Sequence, residues 1–364
     1  MTAPRATPVV VMHGPGRARG EQYGEELRAL IQEASRRWLD RVGTGLRIRP
    51  QDYIRELAEG CGYRAAVCRT TPDLAEEIDG IARGADVEGR LIFAMNLLDE
   101  EWAMRPAFSG VPNLSEHCSG FAVRGDPSNG PWLGQNMDLP GWLDGLQVVL
   151  DIRTPGGPRA LVPSSAGMIA LNALNEHGVG VCVNTLAELP ASRHGLPVAC
   201  VIRSIANQAT MDGAVDLLTR TEHTAGQNYI VAGPDGVADI ECSAAGTTRF
   251  AGDAAWVAHT NHPLAAEADR AETLVDTSQG LSRVRLDHLR ARLDAVAAGG
   301  IDAAKAMLAE APVCRGSGAD SGATFYSVLM ETGPQPALHL TAGSPDGHPR
   351  FERIPVGSVA DAST

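Results

Sequence analysis

Two periodicities divide the chain. In the first third, apolar residues recur at helical spacing. From Glu21 to Arg41 they fall at Tyr23, Leu27, Leu30, Ile31, Ala34 and Leu39, which predicts one long helix. Gln51–Glu59 reads as a second helix. Thr71-Pro72-Asp73 opens a third, with Thr71 as N-cap, Pro72 in the first turn and a body over Leu74–Ala82. Arg90–Met104 reads as a fourth, and Pro106–Glu116 as a loop. The apolar stretch Val9-Val10-Val11-Met12 is too short for the core of a signal peptide. From Cys118 onward the pattern changes to short β-type runs separated by turn residues. These runs are Ser119–Arg124, Trp132–Asn136, Gln147–Arg153, Met168–Leu174 and Val179–Val183. Helices at Pro197–Ala209 and Met211–Thr221 follow, then strands at Gln227–Ala232, Val237–Cys242 and Ala255–Ala258. Helices at Arg283–Ala298 and Asp302–Glu310 precede closing strands at Thr324–Met330, Ala337–Leu340 and Phe351–Ile354. This order lacks strict βαβ alternation and predicts an α+β fold of antiparallel sheets covered by helices.

Composition narrows the function classes. Of 364 residues 44% are hydrophobic, enough for a sizeable core. The 31 basic and 44 acidic residues give a net charge of −13, and no Lys/Arg block reaches five residues. Nucleic-acid affinity rests on cations neutralising phosphates, so a nucleic-acid partner is not expected. No apolar run approaches the ~18–20 residues that span a bilayer, so no membrane partner and a cytoplasmic location are expected. The seven cysteines are odd in number and lie in a long chain, which argues against a disulfide scaffold. The absence of CxxC and HExxH disfavours a metal site, and the absence of GxGxxG and Walker patterns disfavours a nucleotide. No cofactor is expected.

The candidate chemistry begins at Cys118, placed between the loop and the first strand after it. A thiol needs a nearby base or a lowered pKa to act as a nucleophile. Twenty residues on, Gly134-Gln135-Asn136-Met137-Asp138 brings Asp138 onto the neighbouring strand of a hairpin, where it is either a partner of Cys118 or a turn residue. Asn172, Asn175 and Asn184 surround another hairpin; Asn175 reads as part of the turn, and Asn184 as a buried amide or a turn cap. In His259-Thr260-Asn261-His262, Asn261 offers a neutral N–H donor of the kind that stabilises an oxyanion. His259 and His262 lack a third metal ligand in sequence range. With no evident catalytic His, one physical solution is that Cys118 uses its own α-amine, freed by cleavage of the preceding bond. A free α-amine titrates near ~7.7–8.0, close to the range of a good general base.

These residues resemble the acyl-CoA:6-aminopenicillanic acid acyltransferase family, the C45 peptidase family of N-terminal nucleophile (Ntn) hydrolases. The resemblance is carried by Glu76-Glu77-Ile78-Asp79-Gly80-Ile81-Ala82-Arg83-Gly84-Ala85, by Cys118-Ser119-Gly120-Phe121-Ala122 and by Gly134-Gln135-Asn136-Met137-Asp138. Asn175-Glu176-His177-Gly178-Val179 with Asn184, and His259-Thr260-Asn261-His262, complete it, with a weaker match at Gly322-Ala323-Thr324. The resemblance implies a four-layer αββα sandwich of two stacked, mainly antiparallel sheets. It implies self-cleavage between His117 and Cys118, giving a helical segment 1–117 and a core 118–364 that remain associated as one integrated domain. It implies Cys118 as nucleophile, Asp138 as the group that orients its amine, and Asn261 as oxyanion donor. Asn184, Asn175 and Ser321 are the expected substrate-side residues. Family members commonly carry Gly before the Cys and Thr after it, where this chain has His117 and Ser119; an Arg expected before Gly-Ala-Thr is here Ser321. Arg315 and Arg153 are the candidates to replace that charge.

The expected function is that of a self-processing thiol amidohydrolase or acyltransferase, with a small amide substrate and a thioester acyl-enzyme. The alternative is an unprocessed Ntn-like binding or scaffold protein. Homo-oligomerisation is left open by the sequence.

Overall fold

The computed structural model describes residues 7–45, 48–109, 118–125, 130–250, 255–265, 277–316, 322–346 and 350–357. His117 and Ser321 therefore lie outside the described residues. Two sheets dominate. Sheet A contains β1 (Val9–His13), β4 (Gln147–Arg153), β5 (Arg159–Ser165), β6 (Ala173–Asn175), β7 (Gly180–Thr185), β8 (Gln227–Gly233), β9 (Gly236–Ser243) and β10 (Gly246–Phe250), paired in that order. Sheet B contains β11 (Trp256–His259), β2 (Ser119–Val123), β3 (Trp132–Leu139), β12 (Ala323–Glu331), β13 (Ala337–Leu340) and β14 (Glu352–Pro355), again in pairing order. Among the described residues every ladder is antiparallel except β1 on β4.

The sheets are stacked face to face. A Cβ placed on Gly180 of β7 would come within 2.9 Å of the Leu133 side chain of β3, so the backbones are drawn together there. Tyr326 of β12 donates its hydroxyl to Asn172 Oδ1 at 2.7 Å across the gap. Helices α8 (Val198–Ile205) and α9 (Met211–Arg220) cover the outer face of sheet A. Helix α10 (Thr277–Leu308, interrupted at Gly300 with φ 70°) covers the outer face of sheet B. The α10 side chains Leu286, Leu289 and Leu293 close a second core with Phe121, Val123 and Trp132. The result is the expected αββα sandwich. Alternation on β2 and β3 is the local cause: Phe121 and Trp132 look outward to α10, while Ala122 and Leu133 look inward to sheet A.

The first segment is not purely helical. Val9–His13, read from the sequence only as a short apolar stretch, is strand β1. The expected long helix is two, α1 (Gly16–Glu26) and α2 (Arg28–Gly45), and α3 (Pro50–Ala58) matches expectation. Helix α4 (Tyr63–Thr70) and strands β5 and β10 were not expected. The run Met168–Leu174 is strand only from Ala173 onward. Helix α5 (Pro72–Ala85) crosses α1 with backbones almost in contact; a Cβ on Gly20 would sit 2.0 Å from the Glu77 carbonyl oxygen. Helices α6 (Gly89–Met95) and α7 (Leu98–Ser109) lead toward Cys118.

Candidate active site

Cys118 stands one residue ahead of β2 and is 4% exposed. The β2–β3 register sets Ser119 opposite Asn136, which brings Cys118 beside Met137. The thiol points inward and donates to Met137 Sδ at 3.5 Å. Asp138, the next residue on β3, points the other way by the alternation of a strand, toward α10. Its Oδ1 accepts from Thr324 Oγ1 at 2.7 Å, across a bulged part of the β3–β12 ladder. Its Oδ2 is buried with no partner among the described residues. Burial pushes the Asp138 carboxyl up to about 7, against the attraction of Arg285 and Arg315.

Asn261 follows β11 in the turn into the α10 region, and its neighbours hold it there. His259 ties the sheets together: its Nε2 meets Glu241 Oε1 of β9 at 3.0 Å and its Nδ1 meets the Thr260 carbonyl at 2.8 Å. Both partners are acceptors, so making both bonds calls for an imidazolium. Burial opposes that charge, but Glu241 and Asp239 outweigh it and raise the pKa. His262 Nδ1 pairs with Ser282 Oγ at 2.7 Å; burial and the arginines around it push this ring down to about 3, so it stays neutral. The Asn261 backbone N–H donates to the same Ser282 Oγ at 2.9 Å. The Asn261 side chain donates from Nδ2 to the Thr185 carbonyl at 3.0 Å, leaving its other N–H.

Asn184, at the end of β7, is fully buried, and neither end of its amide has a partner among the described residues. Its Oδ1 lies 2.9 Å from where a Cβ on Gly120 would stand, so it faces the strand that Cys118 opens. Asn175 is placed elsewhere. It sits at the opposite end of the β6–β7 hairpin and its amide is fully engaged: Oδ1 accepts from the His177 and Val179 amides, and Nδ2 donates to the Ala206 and Gln208 carbonyls. The structure gathers Cys118, Asp138, Asn184 and Asn261, and leaves Asn175 as a hairpin residue.

The rest of the Gly134–Asp138 motif is structural. Gln135 ties β3 to the Val183 backbone and to Asn172, whose Nδ2 donates to it at 2.7 Å. Asn136 donates to the Leu308 and Val313 carbonyls, closing the end of α10. Sequence reasoning missed Arg285, which is 2% exposed. Its Nη1 donates to the Cys118 carbonyl at 2.5 Å and to Ser119 Oγ at 2.7 Å; its Nη2 donates to Asn261 Oδ1 at 3.0 Å. The signal was present: Arg285 shares a helix face with Leu286, Leu289 and Leu293, and a cation on an apolar face is the informative exception. Of the two arginines expected to supply charge, Arg315 acts on Asp138, whereas Arg153 pairs with Asp151 at 2.9 Å. A cavity of about 440 Å³ lined by Leu27, Leu30, Asp144 and Gln147 includes none of these residues.

The sequence model of a family described as acyl-coenzyme A:6-aminopenicillanic acid acyl-transferase matches residues 126–305, just under half of the chain. This bears out the resemblance carried by the motifs. No curated protein matches the chain significantly. Among solved structures, the chain is similar to a Caenorhabditis elegans ortholog of N-acylethanolamine-hydrolyzing acid amidase, with 21% identity, a TM-score of 0.45 and coverage of 59% of this chain and 93% of that one. It is similar to the penicillin V acylase of Agrobacterium tumefaciens, with 14% identity, a TM-score of 0.44 and coverage of 65% and 86%. A variant of the conjugated bile acid hydrolase of Clostridium perfringens shows 12% identity, a TM-score of 0.44 and coverage of 65% and 92%.

Proposed function

We propose that this chain is a self-processing N-terminal-cysteine amidohydrolase or acyltransferase acting on small N-acyl or peptide-like amides. The observation that carries the reading is the convergence at the head of β2. The buried Cys118 thiol and the unpartnered Asn184 amide lie on the inner face there, the Asp138 carboxyl with its unused oxygen lies on the α10 side, and Arg285 joins the Cys118 carbonyl to Asn261.

In maturation the Cys118 thiol attacks the His117 carbonyl carbon. The acyl group moves from nitrogen to sulfur, and the Cys118 nitrogen leaves as an amine. Water then cleaves the thioester, giving a carboxylate at 117 and a free thiol and α-amine at 118. In turnover the α-amine takes the thiol proton and sulfur attacks the substrate carbonyl carbon. The oxyanion receives N–H bonds from Asn261 and Asn184. The leaving amine takes the proton from the ammonium, and a thioester remains. Water, deprotonated by the α-amine, releases the acid; an amine in place of water gives acyl transfer. Asp138 orients the ammonium through Oδ2.

Intact mass under denaturing conditions tests the reading. Two species matching 1–117 and 118–364 are expected, and Cys118→Ala is expected to remain one chain. The inward-turned, buried thiol favours one second reading, a binding protein that never matures. A single uncut species that also fails to react with iodoacetamide decides for it.

A further inference from the structure

Cleavage before Cys118 would leave the nucleophile as a chain end. The β2–β3 ladder begins at Ser119, one residue after Cys118. Chain ends fray unless something ties them down. One tie in this structure is Arg285. One planar guanidinium holds the Cys118 carbonyl and the Ser119 hydroxyl with Nη1, and the side-chain carbonyl of Asn261 with Nη2. The same group lies in attraction with Asp138 and with the Cys118 thiolate. We propose that Arg285 is a positioning residue that fixes the distance between the nucleophile and its oxyanion donor, by clamping the carbonyls of Cys118 and Asn261 to one rigid fork.

This inference rests on the proposed roles of Cys118 and Asn261. The clamp has two consequences. Holding Asn261 Oδ1 turns its N–H groups away from the guanidinium, so the amide can act only as a donor toward the substrate side. Holding the Cys118 carbonyl keeps the terminal residue, and therefore its amine and sulfur, in register with β3. Lysine keeps the charge but not the fork, because an ammonium is a point donor on a flexible stem. Reactions of this kind tolerate little misplacement, about 100-fold in rate for ~1 Å.

The test compares wild type, Arg285→Lys and Arg285→Gln. The first readout is the pH midpoint of Cys118 alkylation by iodoacetamide, followed by mass. Arg285→Gln should raise that midpoint by about one unit, and Arg285→Lys should keep it. The second readout is hydrolysis of p-nitroanilides of straight-chain carboxylic acids. Arg285→Lys should lose about 10- to 100-fold in kcat with KM within about twofold. An unchanged midpoint in Arg285→Gln overturns the proposal. If Arg285→Gln does not fold, Arg285→Lys carries the test: an unchanged kcat, or a loss confined to KM, overturns it. A wild type that is uncut and unreactive toward iodoacetamide refutes the functional reading instead. A reactive wild type with indifferent Arg285 variants refutes only the clamp.

Discussion

Asn184 and Asp138 are buried polar side chains with unused capacity. A buried amide with no partner costs about 1–3 kcal/mol, whereas an apolar side chain of similar shape removes that cost. Asn184→Leu should therefore raise the melting temperature while lowering the rate on amide substrates; a variant that is both stabilised and fully active would remove Asn184 from the site. Asp138 gives a pH-dependent version of the same conflict. Its native pKa is pushed up to about 7 by burial, above the ~3.9 of an unfolded chain. Between those values the folded state binds more protons than the unfolded state, so this residue's contribution is fully present below about pH 4 and is lost as pH rises through 7. Asparagine does not titrate. On the uncut Cys118→Ala background, the stability of Asp138→Asn relative to Asp138 should rise between pH 4 and 8 by on the order of a few kcal/mol. Urea melts across that range measure it, and a flat difference contradicts it.

At the scale of elements, α1 and α5 cross where glycine faces glycine. A Cβ on Gly80 would lie 2.4 Å from the Arg17 carbonyl oxygen. Gly80→Ala must push the helices apart and should cost about 1–3 kcal/mol or more, read as a lower urea midpoint with an unchanged slope. This crossing accounts for the small residues in the Glu76–Ala85 motif, and Glu77 there is buried between Arg19 at 2.7 Å and Arg203 at 2.5 Å. Strands such as Gln147–Arg153 and Ala337–Leu340 were legible because they are short, largely apolar runs bounded by turn residues and buried along nearly their whole length. Strand β5 was not, because Pro163 argues against a strand interior; it is tolerated because β6 pairs only with Ala160 and Leu161. Strand β10 reads as polar because its residues are largely exposed. Strand β1 was missed because its partner, β4, is about 140 residues away and sequence patterning carries no pairing information over that distance. Cys118, Asp138 and Asn261 stood out as motifs, while the partners of Arg285 did not, since they come from β2 and the turn after β11.

At the scale of the molecule, one hydrophobic core takes side chains from both sides of position 118, among them Val10, Tyr23, Leu150 and Val231. Buried polar ties cross the same boundary. Asp99 accepts from Thr185 Oγ1 at 2.8 Å, Glu100 accepts from the Val198 amide at 2.9 Å, and Asn96 donates to the Gly167 carbonyl at 2.9 Å. The two products of cleavage should therefore elute as one species in gel filtration and separate only in denaturant. Elution as two species in native buffer would contradict this. Among the described residues, no helix is long and apolar enough to cross a membrane. The parallel pairing of β1 with β4 adds an asymmetry between the fragments. Val9–His13 caps the flank of Val149–Arg153, and the proposed cleavage would place this cap on the shorter fragment. Produced without it, the longer fragment would present a row of unsatisfied amides and carbonyls beside Val149, Leu150 and Ile152. Such a row is a template for strands from other copies. After the proposed cleavage the short fragment would thus guard its sister, and Val9–His13, made before Val149–Arg153, exists before the surface it covers.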